Sequence, residues 1–524
     1  MDVLGKEVLF SNLKNFHLMN THQQKNVTQL IEISKKFHKK ANVPVEDIQV
    51  ESEQTIILES GHQPNFLPFA GTWKKAFLLH WIHESLKGDG KNSVAFFGFA
   101  DQNISTARLL SKNQIPSYNK DGIIKIGFKI KESDKFKSFC SVPKPPLENW
   151  QSEISKINQH YQECAKKSKS VEPQGNKHWD QILEILWDSY ESANNFAELN
   201  GFIFTKICKE IFALDILFFQ YSDMHHENLF LNESVTILQN LYRFNQKYNH
   251  VIDQKGLHIP HVTLDHMPFW FECSCGAKVD LFFSDTFNCS IKCPLCSREY
   301  DLAFNEDFKN LSSYYDKLDF NAVSRNMIMA HGLGDTLFIS GSGGSLQYGL
   351  ISDAISTDLG YHRPIVLSWR SQDQYLGMTH KVAVFELMKT LSLTPDDFLY
   401  DSLNQKISKS LLEISQKINE ALQINDLKNF KYWRGMLNNS KNQTVFCKKT
   451  FLTTPSIIDI IKNYEGREII NSWKNALINS EIQKTDTIYQ IWANINYPVH
   501  SLPDIQSNKI PLFYEHIRNI EVES

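Results

Sequence analysis

The stretch from residue 336 to residue 370, TLFISGSGGSLQYGLISDAISTDLGYHRPIVLSWR, constrains the fold more than any other part of the chain. It begins and ends with short apolar runs, 336–339 and 365–369, which are typical of buried strands. Between them, a glycine-rich loop leads into a segment whose apolar residues recur at helical spacing. The loop contains Gly341, Ser342, Gly343 and Gly344, and Ser345 opens the helical segment. The sequence therefore predicts a strand, a loop, a helix and a returning strand.

Such a unit can hold an anion, because it places unpaired backbone N–H groups and a helix N-terminus at the carboxyl end of a strand. Glycine permits a close approach, since it has no Cβ and tolerates positive φ. The pattern is neither the dinucleotide-binding fingerprint nor a P-loop, because no Gly-Lys-Ser/Thr follows the glycines. An anion-binding loop and a tight turn that binds nothing are both compatible with it.

A second unit of the same kind precedes this one. It consists of a strand at 55–59, a loop at 60–68 that contains two prolines, a helix at 71–86 and an apolar strand at 93–99. In open α/β sheets, ligands bind outside the carboxyl ends of the strands. We therefore expect the polar groups that follow the four strands to meet at one edge of the sheet, namely 60–65, 101–103, 340–345 and 370–373.

Three side chains at this edge are candidate catalytic residues: His62, Asp101 and Arg370. An imidazole can carry protons near neutral pH, a carboxylate can act as a base, and a guanidinium can clamp an anion through two hydrogen bonds. The predicted ligand-binding residues are Gly61, Gln63, Asn103, Gly341, Ser342, Gly343, Gly344, Ser345 and Tyr348. Structural roles are the alternative: a hydrogen bond to a loop carbonyl for His62, a helix cap for Asp101 and a surface ion pair for Arg370.

Four cysteines have the spacing of a metal site. Cys273 and Cys275 form one pair, and Cys293 and Cys296 form the other. Two short cysteine turns separated by a β-like segment are typical of a four-thiolate zinc ribbon. Four thiolates leave no position for water, so the predicted role of the zinc is structural. A catalytic zinc and a cysteine cluster without metal are the alternatives.

The composition argues against several classes of protein. The net charge is -4, from 55 Lys+Arg and 59 Asp+Glu, so no basic excess indicates a nucleic-acid partner. The sequence has neither an apolar run long enough to span a membrane nor a secretion signal in its first residues. Most of the cysteines outside the paired motif are scattered, which favours a reducing compartment over disulfides. We expect a cytoplasmic protein that acts on a small molecule.

The predicted fold class is α/β: a Rossmann-like parallel-sheet core with helical insertions, a small zinc ribbon and a helical or coiled-coil C-terminal region. Apolar residues from Leu403 to Leu422 repeat every three or four positions, which predicts a helical seam that could support a homodimer. The predicted boundaries are 1–142 for the N-terminal part of the core, 143–259 for the helical insertion, 260–302 for the zinc ribbon, 303–400 for the C-terminal part of the core and 401–524 for the helical region.

In these residues the chain resembles the bacillithiol-biosynthesis cysteine-adding enzyme family. The resemblance rests on Ser60-Gly61-His62-Gln63, Ala100-Asp101-Gln102-Asn103, Gly341-Ser342-Gly343-Gly344-Ser345-Leu346-Gln347-Tyr348 and Arg370-Ser371. It implies a Rossmann-like core with helical insertions, a coiled coil that supports dimerisation and a pocket of nucleotide size. It also implies a ligase that joins cysteine to a glucosamine–malate conjugate. The chain departs from the family pattern at His62, in the acidic stretch at 101–103 and at Ser345.

The stretch 62–75, HQPNFLPFAGTWKK, is similar to the Gln-Pro-Asn-Tyr-Leu-Pro opening of WbqC-like proteins, which accompany surface-sugar biosynthesis. Three classes of function follow from the sequence. The first is a C–N ligase or transferase that joins a small amine such as cysteine to a sugar-derived conjugate. The second is a WbqC-like protein that binds a nucleotide or metabolite without turnover. The third is an adaptor whose zinc ribbon docks another protein.

Overall fold

The fold is known from a computed structural model, and the described residues are 13, 18–46, 48, 50, 54–119, 121–167, 176–284, 287–341, 344–400, 402–452, 456–485, 488–497, 513, 515–517, 519 and 520. The strands are β1 (Ile56–His62), β2 (Ser93–Phe99), β3 (Lys112–Pro116), β4 (Ile123–Gly127), β5 (Leu217–Gln220), β6 (His266–Glu272), β7 (Lys278–Phe282), β8 (Asn288–Lys292), β9 (Glu299–Ala303), β10 (Leu318–Phe320), β11 (Leu337–Ser340), β12 (Ile365–Arg370), β13 (Glu481–Thr485) and β14 (Ile488–Trp492).

The helices are α1 (Thr21–Lys40), α2 (Ala70–Gly88), α3 (Arg108–Ser111), α4 (Leu147–Lys167), α5 (Asn176–Ser192), α6 (Phe196–Lys206), α7 (Tyr221–His226), α8 (Leu231–Gln239), α9 (Leu241–Lys255), α10 (Ala322–Leu333), α11 (Gly344–Leu359), α12 (Met378–Leu391), α13 (Leu403–Gln423), α14 (Leu427–Leu452), α15 (Ile457–Asn463) and α16 (Gly466–Ile478).

A mostly parallel sheet lies at the centre of the molecule. Its strand order is β13-β14-β12-β11-β1-β2-β5, and β13 alone runs antiparallel to its neighbour. In its middle, Leu58 of β1 lies between Leu337 of β11 and Ala95 of β2. The carboxyl ends of β1, β2, β11 and β12 therefore meet at one edge, as the sequence predicts.

Both faces of this sheet are buried, which explains why β2 is apolar after its first residue, Ser93. Alternate strand residues such as Leu58 and Phe97 belong to one hydrophobic cluster, together with residues of α2, α4, α5, α6, α15 and α16. Their neighbours Ile57 and Phe96 belong to a second cluster, together with residues of α1, α8, α9, α10 and α11. Helices on both sides of a mostly parallel sheet confirm the predicted α/β class.

The sequence analysis located β1, β2, β11 and β12 and the helices between them, but it missed two parts of the sheet. The strand β5 lies within the segment predicted as a helical insertion, and β13 and β14 lie within the predicted helical C-terminal region. The β5 sequence LFFQ is short and wholly buried. Periodicity cannot distinguish such a run from part of a buried helix.

The segment predicted as a zinc ribbon, 260–302, is called the cysteine module below, and it consists of two hairpins. Strands β6 and β7 form the first and β8 and β9 the second, while β10 adds an edge strand to β6. The predicted helix over the Leu403–Leu422 repeat is α13, which contacts both α14 and α12. Leu403 and Ile407 in its first half are buried in a cluster with residues of these two helices, whereas Leu422 at its end is 51 % exposed. Of the helices in the described ranges, none is long and apolar enough to cross a membrane.

Candidate functional site

A cavity of about 940 Å³ opens at the carboxyl edge of the sheet. The predicted residues that line it come from all four expected strand ends: Gly61, His62, Gln63, Asn103, Gly341, Tyr348 and Arg370. Gly344 is the first residue of α11. Ser342, Gly343 and the side chain of Ser345 lie outside the described part of the chain. The sheet rule therefore brings most of the predicted site residues to one cavity.

The cavity also contains cationic side chains that the sequence analysis did not select. Lys74 and Lys75 come from the second turn of α2, and Arg325 comes from the first turn of α10. Asn321 starts α10, since its Oδ1 accepts from the N–H groups of Val323 and Ser324 at 3.0 and 2.9 Å. The sequence feature that could have identified Lys74 and Lys75 as site residues is their position in α2, AGTWKKAFLLHWIHESLKG, because most residues of this helix are buried.

Lys75 holds its ammonium group in a buried position. Its Nζ donates to the carbonyl oxygen of Gly61 and lies 5.9 Å from the centre of the Phe97 ring. Burial and the positive charge of Arg325 lower the pKa of Lys75 to about 7. Within the described ranges neither Lys75 nor Arg325 forms an ion pair with a carboxylate, whereas Lys74 lies 2.7 Å from Asp373. Neither cation is thus held in a close ion pair with a described carboxylate, although the charge of Arg325 favours the ionised form of Glu59.

His62 is neutral at physiological pH. Burial and the nearby charge of Lys75 lower the pKa of its ring to about 3. Its Nδ1 lies 2.9 Å from the carbonyl oxygen of Gln63, which can only accept a hydrogen bond, so Nδ1 carries the proton. The other ring nitrogen, Nε2, is consequently an acceptor.

Tyr221 connects the cavity to a buried pair of carboxyl groups. Its hydroxyl donates to Glu59 Oε1 at 3.0 Å, and Arg325 lies 4.9 Å from the centre of its ring. Glu59 and Asp335 are buried against each other, and burial raises the pKa of both. We infer that one proton is shared between them, because two adjacent buried carboxylates cannot both ionise without a large cost. The pair then carries one negative charge at most.

Gly98 makes room for the Tyr221 ring. A Cβ atom at this position would lie 2.7 Å from ring atoms of Phe219 and Tyr221. Gly61 is similarly confined, since its Cβ would lie 2.8 Å from the Gly98 carbonyl oxygen. Any larger residue at either position would displace the Tyr221 hydroxyl from the cavity wall.

The end of β12 presents Arg370 and Ser371 to the same cavity. Lys74 Nζ donates to Ser371 Oγ at 2.5 Å and to Asp373 Oδ2, and it lies 5.2 Å from the centre of the Trp369 ring. These contacts tie α2 to the end of β12. They also fix one cation of the cavity wall in an ion pair.

Asp101 does not line this cavity. It is fully buried beside a second cavity of about 670 Å³, where it accepts hydrogen bonds from the backbone N–H and the hydroxyl of Ser222 in the first turn of α7. Burial raises the pKa of its carboxyl group to about 7. The structure therefore separates Asp101 from His62 and Arg370, with which the sequence analysis had grouped it.

The four predicted cysteine ligands come together. Their sulfur atoms all lie within 4.8 Å of one another, with Cys273 and Cys296 at 3.5 Å and Cys275 and Cys293 at 3.6 Å. The first pair lies in the turn between β6 and β7, where the Gly276 N–H donates to the Cys273 carbonyl oxygen at 2.6 Å. The second pair lies in the turn between β8 and β9. Four thiols in this arrangement could hold a metal ion.

In comparisons with known proteins, no family model and no curated protein sequence matches this chain. Its function must therefore be argued from the chemistry of the two cavities and the cysteine cluster.

Proposed function

We propose that the main cavity binds an anionic small molecule, such as a sugar phosphate, a nucleotide or a sugar-linked dicarboxylate. The observation that carries this proposal is the convergence of Lys75 and Arg325 on one cavity, neither of them in an ion pair with a described carboxylate. Arg370 and the N-terminal end of α11 lie on the same edge of the sheet. A phosphate or carboxylate group would supply the negative charge that these groups favour.

We further propose that the chain joins a small amine, such as cysteine, to the bound sugar-derived conjugate as an amide. The amine nitrogen attacks a carboxyl carbon of the conjugate, and one carboxyl oxygen leaves as water, or as phosphate where ATP has first phosphorylated the carboxylate. Forming a C–N bond requires a deprotonated amine, and a lysine whose pKa is about 7 is half neutral at neutral pH. Lys75 Nζ of the anion-free protein would accept the proton of the ammonium substrate, and the anion that binds afterwards would stabilise the resulting positive charge. This proposal agrees with the ligase activity that the resemblance to the bacillithiol enzymes implies.

A metabolite-binding protein without turnover is the second candidate. The position of Asp101 favours it, because this carboxyl group lies against the second cavity and cannot assist Lys75 directly.

For the cysteine cluster we propose a structural zinc ion, since four thiolates complete a tetrahedron and leave no position for a reactive water.

Product formation distinguishes the two candidates. Purified chain is incubated with cysteine and a glucosamine–malate conjugate, with and without ATP, and the amide product is measured by mass spectrometry. We expect product from the wild type and a rate lower by about 10²-fold or more in Lys75→Met, because general base catalysis contributes about 10²–10⁴-fold.

Lys292→Met is the matched control, since Lys292 is an exposed lysine that pairs with Glu299 on the cysteine module. Its rate should equal that of the wild type. No product under any condition, with anion binding retained, would favour the binding protein. Equal rates for wild type and Lys75→Met would overturn the role given to Lys75.

A further inference from the structure

The second cavity has the opposite electrostatic character. It lies between the loop after β2, the start of α7 and the cysteine module. Three cationic side chains line it, Lys40, Arg298 and Lys317. Twice as many carboxyl groups do so: Asp101, Glu198, Asp223, Glu272, Asp316 and Asp319. We call it the acidic cavity.

Some of these carboxyl groups already have a cationic partner. Lys40 Nζ lies 3.7 Å from Glu198 and 3.5 Å from Asp223, while Lys278 Nζ lies 3.1 Å from Asp319. Asp101 has no such partner among the described residues, since its hydrogen bonds come only from Ser222. A fully buried carboxylate without a cation is costly, so a positively charged ligand beside Asp101 would be stabilised.

Buried side chains on the cavity wall have polar atoms without partners in the described structure. They are both ring nitrogens of His225, which is 2 % exposed, and Oε1 of Gln102 and Nε2 of Gln220, which are each 3 % exposed. Buried polar groups in proteins are nearly always hydrogen-bonded. These atoms therefore indicate a bound molecule that both donates and accepts hydrogen bonds.

The neutral state of His225 is compatible with a cationic ligand. Burial and the charge of Lys278 lower the pKa of its ring to about 3, so the ring does not repel a positive charge at neutral pH. A neutral imidazole offers one acceptor and one donor nitrogen. Gln102 adds an acceptor and Gln220 adds a donor.

A bare metal ion fits this cavity poorly. Across the described ranges, groups of three or more potential ligand atoms within 4.8 Å occur only at the cysteine cluster and at His83, Glu84 and Asp215, outside this cavity. The volume of about 670 Å³ instead suits an organic molecule of several non-hydrogen atoms.

We propose that the acidic cavity binds a small organic ammonium compound, whose charged nitrogen donates to Asp101 and whose other polar atoms bond with His225, Gln102 and Gln220. This site is separate from the anion site and does not depend on the proposed function. The two sites share their boundary, because Asn103 and Tyr221 line the main cavity while their neighbours Gln102 and Ser222 line the acidic one.

Isothermal titration calorimetry of the full chain with 1,4-diaminobutane tests the proposal, with 1,4-butanediol as the uncharged probe of similar length. We expect one diamine to bind per chain and the diol not to bind. Asp101→Asn keeps the shape of the side chain and removes its charge, so diamine affinity should fall at least about tenfold. Asp253→Asn, which changes an exposed aspartate beside His261 outside the cavity, should bind like the wild type.

Gln102→Met provides a second variant in case Asp101→Asn does not fold, because it keeps a long side chain and removes the unpartnered Oε1, which can accept from an ammonium group. It should weaken diamine binding about threefold to tenfold. The proposal is overturned if the wild type does not bind the diamine, if the diol binds equally well, or if the folded variants bind it like the wild type. Binding of anions to the same proteins, measured in parallel, reports on the main cavity separately.

Discussion

Lys75 keeps its ammonium group inside the protein with a carbonyl oxygen as its hydrogen-bond acceptor and Arg325 as a charged neighbour. Both the burial and the neighbouring charge favour the neutral amine, which lowers the pKa of Lys75 to about 7. An anion in the cavity would favour the charged form instead. Binding and protonation of Lys75 are therefore linked.

The affinity for a dicarboxylate such as malate should consequently decrease as the pH rises from about 6.5 to 8.5. The sign follows from the pKa of Lys75: above about 7 the free protein holds a neutral amine, so binding must take up a proton. Malate keeps a constant charge in this range, and His62, whose pKa is about 3, does not titrate there. Calorimetric titrations at several pH values measure the effect.

In Lys75→Met the affinity should be lower and nearly independent of pH over the same range. A pH dependence that persists unchanged in Lys75→Met would assign the proton to another group.

The sequence alone predicted His62, Gln63, Asn103 and Arg370 as site residues, because they lie at or directly after the ends of strands. It did not predict Lys75 or Arg325, because they lie on helices whose orientation depends on tertiary packing.

At the scale of secondary structure, the two strand–loop–helix–strand units could be predicted because their glycine and proline loops separate clear apolar periodicities. The helices α2 and α11 and the strands β1, β2, β11 and β12 all occur close to their predicted bounds. The strands β5 and β14 could not be predicted, since they are short and pair with β2 and β12, which are far away in sequence. The strand β13 was missed together with β14, its antiparallel partner.

The four clustered cysteines of the two hairpins lead us to predict that the protein contains zinc. Elemental analysis of protein purified without chelator should find about one zinc per chain, and Cys293→Ser should lose it, because a structural site needs all four thiolates. Cys289→Ser is the control, since the Cys289 thiol is buried against Met267 and lies outside the cluster.

Metal loss should also weaken diamine binding in the acidic cavity, because Cys273 and its neighbours form part of that cavity wall. A metal-free wild type, or a Cys293→Ser protein that retains its zinc, would contradict the assignment.

For the molecule as a whole, the structure combines two cavities of opposite charge on either side of the turns that follow β2 and β5. The composition could not predict this separation of charge, because the chain contains nearly equal numbers of cationic and acidic residues and its net charge is only -4. Only the fold brings Lys75 and Arg325 to one cavity and the excess carboxyl groups to the other. The separation would let the chain hold an anionic and a cationic molecule at the same time.

The most direct test of the account is thermal unfolding of the full chain against nucleotides, sugar phosphates and dicarboxylates. An anion present at about a hundred times its dissociation constant should stabilise the wild type by about 2.7 kcal/mol. The stabilisation should disappear in the double variant Lys75→Met/Arg325→Met and persist in Lys292→Met. If no anion stabilises the wild type, or if the double variant is stabilised equally, the main cavity is not an anion site.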